Sequence, residues 1–147
     1  MTPNIIYILA DDHGYGDVSC LNESSKIHTP NLDRLAADGL IHRDAHSSSA
    51  VCTPSRYSIL TGRYNWRSRR KQGVGLGYAE PLIEAGRTTV ASYLKAHGYA
   101  TACIGKWHLG WTWATNSDDP TDVDYARPVR NGPVDVRSEE HTSELQS

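Results

Sequence analysis

The chain has 147 residues, enough for one domain with a buried core. Its 15 Lys and Arg nearly balance 17 Asp and Glu, for a formal charge of −2, so charge makes no case for nucleic acid or an anionic membrane surface. No run approaches the roughly 18 apolar residues that span a bilayer, and three cysteines are an odd number for a closed disulfide framework.

The chain opens MTPNIIYILADD. Its short apolar run leads straight into acids and does not read as a signal peptide. Residues 4–10 (NIIYILA) are nearly continuously apolar and rich in β-branched side chains, which predicts a buried, parallel strand. Thr29-Pro30 then starts a helix, with Thr29 as N-cap and Pro30 first in the helix. Leu32, Leu35 and Ala36 line its apolar face, and Gly39 stops it. Residues 40–45 suit a short strand. A second helix is expected over 54–61, with Thr53 as its cap and Gly62 as its stop. Thr88 is placed to cap a third, in which Val90, Tyr93, Leu94 and His97 recur at helical spacing before Gly98. Residues 99–104 (YATACI) follow as another strand.

Strands alternating with helices predict an α/β fold, a partial mixed or parallel sheet with flanking helices. Residues 1–111 carry this periodic pattern. Residues 112–136 are polar, hold three prolines and read as loop. Residues 137–147 (RSEEHTSELQS) resemble one reading frame of a widely used sequencing adapter, so they are expected to be a non-native tail outside the fold.

Three stretches could do chemistry. In ADDHGYGD, Asp11 and Asp12 follow the first predicted strand. Adjacent carboxylates repel unless a cation neutralises them, and an oxygen-rich pair suits Ca²⁺, or less well Mg²⁺; a solvated acidic loop is the plainer reading. In CTPSR, Cys52 precedes a helix start, where free N–H groups and the dipole favour negative charge. Arg56 lies four residues on, able to hold an anion or orient the group at position 52; a buried structural cysteine is the alternative. In GKWHLG, Lys106 and His108 lie two apart and share a side of an extended segment, a cation and a proton-transfer group suited to an anionic substrate. A solvated lysine and a packing histidine would look the same. Ligands bind beyond the carboxyl ends of parallel strands, so both strand-end groups are expected to face one crevice. The basic, aromatic run RYNWRSRRKQ at 63–72 is too short, in a slightly acidic chain, to argue for nucleic acid. Cys20, Cys52 and Cys103 lack the C-x-x-C or H-x₃-H spacing of a zinc site, which weakens a non-enzymatic, metal-binding reading.

Together, residues 3–111 resemble the N-terminal part of a formylglycine-dependent sulfatase of the arylsulfatase type. The resemblance rests on the paired acids Asp11 and Asp12, on C-x-P-x-R (Cys52, Pro54, Arg56) followed by LTGR, and on GKWHLG at 105–110, in that order along the chain. It implies an alkaline phosphatase-like fold and hydrolysis of sulfate esters, aryl or carbohydrate. It implies that a maturation enzyme oxidises Cys52 to formylglycine, whose hydrate attacks sulfur and whose second hydroxyl then expels sulfate. Asp11, Asp12 and the modified Cys52 would bind Ca²⁺. Arg56 would steady the hydrate, Lys106 contact the sulfate, and His108 hydrogen-bond the hydrate as a base. Family members are exported or lysosomal and several times longer, with further metal ligands and a His/Lys pair that the aspartates at 118, 119, 122 and 124 do not match. An incomplete, inactive fragment is therefore expected. A phosphomonoester, phosphodiester or phosphonate hydrolase of the same superfamily is the competing enzyme class.

Overall fold

A computed structural model describes residues 2–136 and 140–142. Residues Met1–His46 form one compact unit and Ser47–Ser147 another.

In the first unit the predicted strand over 4–10 does not form. Ile6 is 84% and Ile8 80% exposed, and no backbone ladder joins the run to another strand. A strand exists only through its neighbour's N–H and C=O groups, and the described residues supply none here. Residues 40–45 also form no strand. A short 3₁₀ turn, Tyr15–Asp17, follows Gly14, whose N–H donates to Asp17 Oδ2 at 2.8 Å. Helix α1 spans Pro30–Asp38 between Thr29 and Gly39, as its capping residues predict. Its apolar face is not buried, however: Leu32 and Leu35 are exposed. What ties α1 to the chain before it is polar. Asp33 accepts from Ser19 Oγ at 2.6 Å, from Thr29 Oγ1 at 3.1 Å and from the Cys20 N–H at 3.0 Å.

The second unit holds the core. Helix α2 spans Cys52–Thr61 and begins two residues earlier than the cap residues suggested, with Val51 as N-cap. Pro54 is tolerated in that first turn because its missing N–H would have had no intrahelical acceptor. Gly62, at φ 64°, ends the helix and returns its N–H to Ser58 O at 2.9 Å. Helix α3 spans Val90–Ala96. Its cap is Thr89 and not Thr88: Thr89 Oγ1 accepts from the Ser92 N–H while Ser92 Oγ accepts from the Thr89 N–H. Strand β1 is confined to Ala102–Ile104, shorter than predicted, and pairs in parallel with β2, Glu140–Thr142. Of the expected non-native tail, only those β2 residues are described.

Tyr57 from α2, Leu82 and Ile83 from the segment before α3, and Trp107 and Leu109 after β1 make one buried cluster. Tyr57 is fully buried and Leu109 2% exposed. Residues 112–136 are irregular, as expected, yet they are pinned. Thr112 bridges Arg130, Thr115 bridges Val123, and Trp113 packs edge-on against Tyr78 and Tyr125. Aromatic pairs of this kind hold a loop without regular structure.

Candidate functional site

The sequence after β1 alternates between core and surface. Trp107 and Leu109 are buried, while Lys106 and His108, which alternate with them, are only partly covered. Two features bend this loop. His108 adopts φ 54°, unusual for a residue with a Cβ. Gly110 adopts φ 77° and passes so close to the 79–80 backbone that a Cβ would lie 2.1 Å from Glu80 O. Flanking hydrogen bonds fix the approach: Leu82 N–H to Leu109 O at 2.7 Å, and Trp111 N–H to Ala79 O at 3.0 Å.

The first two turns of α2 meet this loop. The Thr53 hydroxyl donates to His108 O at 3.1 Å, and the Arg56 guanidinium donates to Lys106 O. These contacts join the start of α2 to the main chain of Lys106 and His108, segments about 50 residues apart in sequence. Cys52 is half-buried in the first turn of α2 and is a free thiol, as are Cys20 and Cys103. Arg56 lies one turn further along the same helix. His108 Nε2 lies 2.6 Å from Gly75 O, and its buried Nδ1 has no hydrogen-bond partner among the described residues.

A second polar cluster went unnoticed in the sequence. The Tyr57 hydroxyl lies 3.2 Å from each Glu84 carboxylate oxygen, with Arg63 and Arg87 each 3.4 Å from the same carboxylate. Burial pushes the Glu84 carboxyl up; its own backbone N–H, the Tyr57 hydroxyl and the two guanidiniums outweigh this and hold it below the usual range. Burial, and then the Glu84 charge, push the Tyr57 phenol up. The only sequence signal was Arg63 in LTGR. Glu84 and Arg87 also line an open cleft of about 890 Å³ with Trp111 and Trp113, and none of Cys52, Arg56, Lys106 or His108 reaches it.

Asp11 and Asp12 belong to the first unit, exposed in a turn after the apolar run. As oxygen donors they fit a hard cation in kind. Two carboxylates give at most four of the roughly six to eight oxygens that Ca²⁺ takes. Among the described residues no three His, Cys, Asp or Glu side chains are grouped to hold a metal ion.

Residues 3–140 match the sulfatase family profile. The chain belongs to the sulfatase family. It is 49% identical over 108 residues to an N-acetylgalactosamine-6-O-sulfatase of Bacteroides thetaiotaomicron, and 46% identical over 108 residues to human arylsulfatase A. Each alignment covers 74% of this sulfatase chain and 21% of the relative, so the chain spans about a fifth of their length. A solved structure described under the metabolism of multiple glycosaminoglycans by the same bacterium superposes with a TM-score of 0.81 at 40% identity, covering 94% of this chain and 27% of that one. The fold is accordingly the alkaline phosphatase-like α/β fold of sulfatases, represented here by three helices and one short parallel strand pair among the described residues. No helix among those residues is long and apolar enough to cross a membrane.

Proposed function

We propose that the longer protein to which this sequence corresponds hydrolyses sulfate esters, and that Cys52 is the precursor of its nucleophile. The observation that carries this reading is the joining of α2 to the 105–110 loop through Thr53 and Arg56. It sets the main chain of Lys106 and His108 against the first two turns of the helix that begins at the free cysteine Cys52. The free N–H groups of that first turn and the cations of Arg56 and Lys106 favour an anionic ester, such as the singly charged sulfate monoester, over a neutral one. Lys106 would bear on the non-bridging oxygens of the sulfuryl group, where negative charge grows during transfer. Arg56, already tied to the loop, would keep position 52 in register with it. His108 would take a proton from the group at position 52, with Nδ1 the ring atom open to do so.

Cys52 suits oxidation to formylglycine, being a free, half-buried thiol in a C-x-P-x-R setting. That residue supplies, when hydrated, a hydroxyl nucleophile with a second hydroxyl whose deprotonation releases sulfate. The maturation enzyme would act on the sequence around Cys52. Asp11 and Asp12 would hold Ca²⁺ together with ligands from outside the described residues. The ion supplies positive charge to the sulfate oxygens. The substrate class is a sulfate ester, aryl or carbohydrate, in line with the names of both relatives.

The experiment uses the longer protein, co-expressed with a formylglycine-generating enzyme. Turnover of aryl sulfate well above aryl phosphate is expected, together with a Cys52 peptide that has lost one sulfur and two hydrogens and gained one oxygen. Dominant phosphate turnover would move the protein to the phosphoester hydrolases of the superfamily. An active enzyme with an unchanged Cys52 thiol would remove the formylglycine reading. The 147-residue chain alone is expected to show no sulfate ester turnover.

A further inference from the structure

We propose that Thr53 is a positioning residue for His108, holding the imidazole proton on Nε2 through the backbone of Gly75. The inference deepens the hydrolase reading, since it concerns the histidine given the proton-transfer role there. Thr53 is 1% exposed, so its hydroxyl must find partners within the protein. It does not cap α2, whose N-cap is Val51. Instead it donates to His108 O at 3.1 Å and accepts from the Gly75 N–H at 3.0 Å. Gly75 in turn presents its carbonyl to His108 Nε2 at 2.6 Å. Three segments, the start of α2, the turn at Gly75 and the loop after β1, thus close a ring of hydrogen bonds with Thr53 touching both other members.

A carbonyl oxygen can only accept, so Nε2 must carry the proton in this arrangement. In the neutral ring the lone pair then lies on Nδ1, the buried atom with no partner among the described residues. The ring of bonds therefore does two things. It anchors His108 at its own backbone, and it selects the tautomer whose accepting nitrogen is left for another group. Without the hydroxyl, Gly75 would lose its N–H partner and His108 the donor on its carbonyl. The Nε2 bond would then have nothing behind it, and the two tautomers would approach each other in population.

The test uses the 147-residue chain with no substrate, so its outcome is independent of whether the longer protein hydrolyses sulfate esters. Proton–nitrogen correlation NMR of the imidazoles distinguishes a protonated from an unprotonated ring nitrogen, and the His108 signal is the one lost in His108→Gln. Wild type is expected to show the Nε2–H form of His108. Thr53→Val is expected to lower the ratio of Nε2–H to Nδ1–H forms about fivefold to tenfold, and Thr53→Ser to keep the wild-type ratio. A wild-type His108 protonated on Nδ1 would overturn the proposal. So would a folded Thr53→Val chain with the wild-type ratio, or a Thr53→Ser chain that shifts as far as Thr53→Val. If Thr53→Val does not fold, wild type decides by coupling across the hydrogen bond from His108 Nε2 to the Gly75 carbonyl: its presence supports the proposal and its absence overturns it.

Discussion

The Arg56 guanidinium donates to the main-chain oxygen of Lys106, 50 residues further along the chain. The contact fastens the second turn of α2 to the loop that carries Lys106 and His108. Arginine suits the place because its rigid, permanently charged fork can serve a carbonyl without giving up its other donors. Arg56→Ala should therefore destabilise the chain by about 1–3 kcal/mol. Arg56→Lys should recover only part of that loss, because an ammonium on a flexible stem cannot reproduce the fork. Urea unfolding followed by tryptophan fluorescence reads the difference. An Arg56→Ala chain that unfolds at the wild-type midpoint would show that the contact contributes nothing.

Gly110 is demanded by space as well as by conformation. A Cβ there would lie 2.1 Å from Glu80 O and 2.5 Å from its carbonyl carbon, and φ is 77°. Gly73 shares a left-handed φ of 67° but has nothing within 4 Å of its Cβ position. Gly73→Ala should cost about 1–2 kcal/mol, the ordinary penalty of the left-handed region. Gly110→Ala should cost more than about 4 kcal/mol, because backbone must move from backbone. Thermal melting of both variants separates the two terms, and equal melting temperatures would refute the close approach.

Glu84 gives the second unit a pH dependence of known sign. Its carboxyl is held below its ordinary value of 4.5 in the folded chain, in spite of burial, by its backbone N–H, Tyr57 and the two arginines. A folded pKa below the unfolded one means stability that is fully present above the unfolded value and lost as pH falls through the folded one. Wild type should therefore lose stability on acidification below pH 4.5, and Glu84→Gln should lose less over the same interval. Tyr57→Phe should reduce the effect in part by removing one of the hydrogen bonds to the carboxylate. Urea midpoints measured from neutral pH down to about pH 3 test this; parallel curves for wild type and Glu84→Gln would exclude a role for the cluster.

What the sequence disclosed was local. Pro30 and Gly39 bracket α1, and Gly62 ends α2. Each follows from one residue's conformational limits. What it withheld depends on distant partners. Thr53 resembles a cap, but its hydroxyl bonds to His108 O, 55 positions on, and α2 starts at Cys52. Residues 4–10 have the composition of a buried strand yet stay exposed, because strand formation depends on neighbours that no local pattern encodes. Thr53 and Gly75 were missed as site residues for the same reason: their contribution runs through backbone atoms and leaves no trace in residue type. The motifs carrying Cys52, Arg56, Lys106 and His108 were legible because their chemistry lies in side chains.

The reading of residues 137–147 as an adapter-derived tail has its own test. Its described residues, Glu140–Thr142, pair with β1 over three positions. A two-stranded pair this short is marginal on its own in water, so the tail should add little to the stability of the chain. Ending the chain at Val136 is expected to shift the unfolding free energy by no more than about 0.5 kcal/mol. Sequencing the source gene across the codons for Val136 and Arg137 should reveal a different continuation beyond that junction. A truncated chain that no longer folds, or a gene that encodes RSEEHTSELQS without interruption, would make these residues a genuine part of the protein and β2 a genuine strand of its sheet.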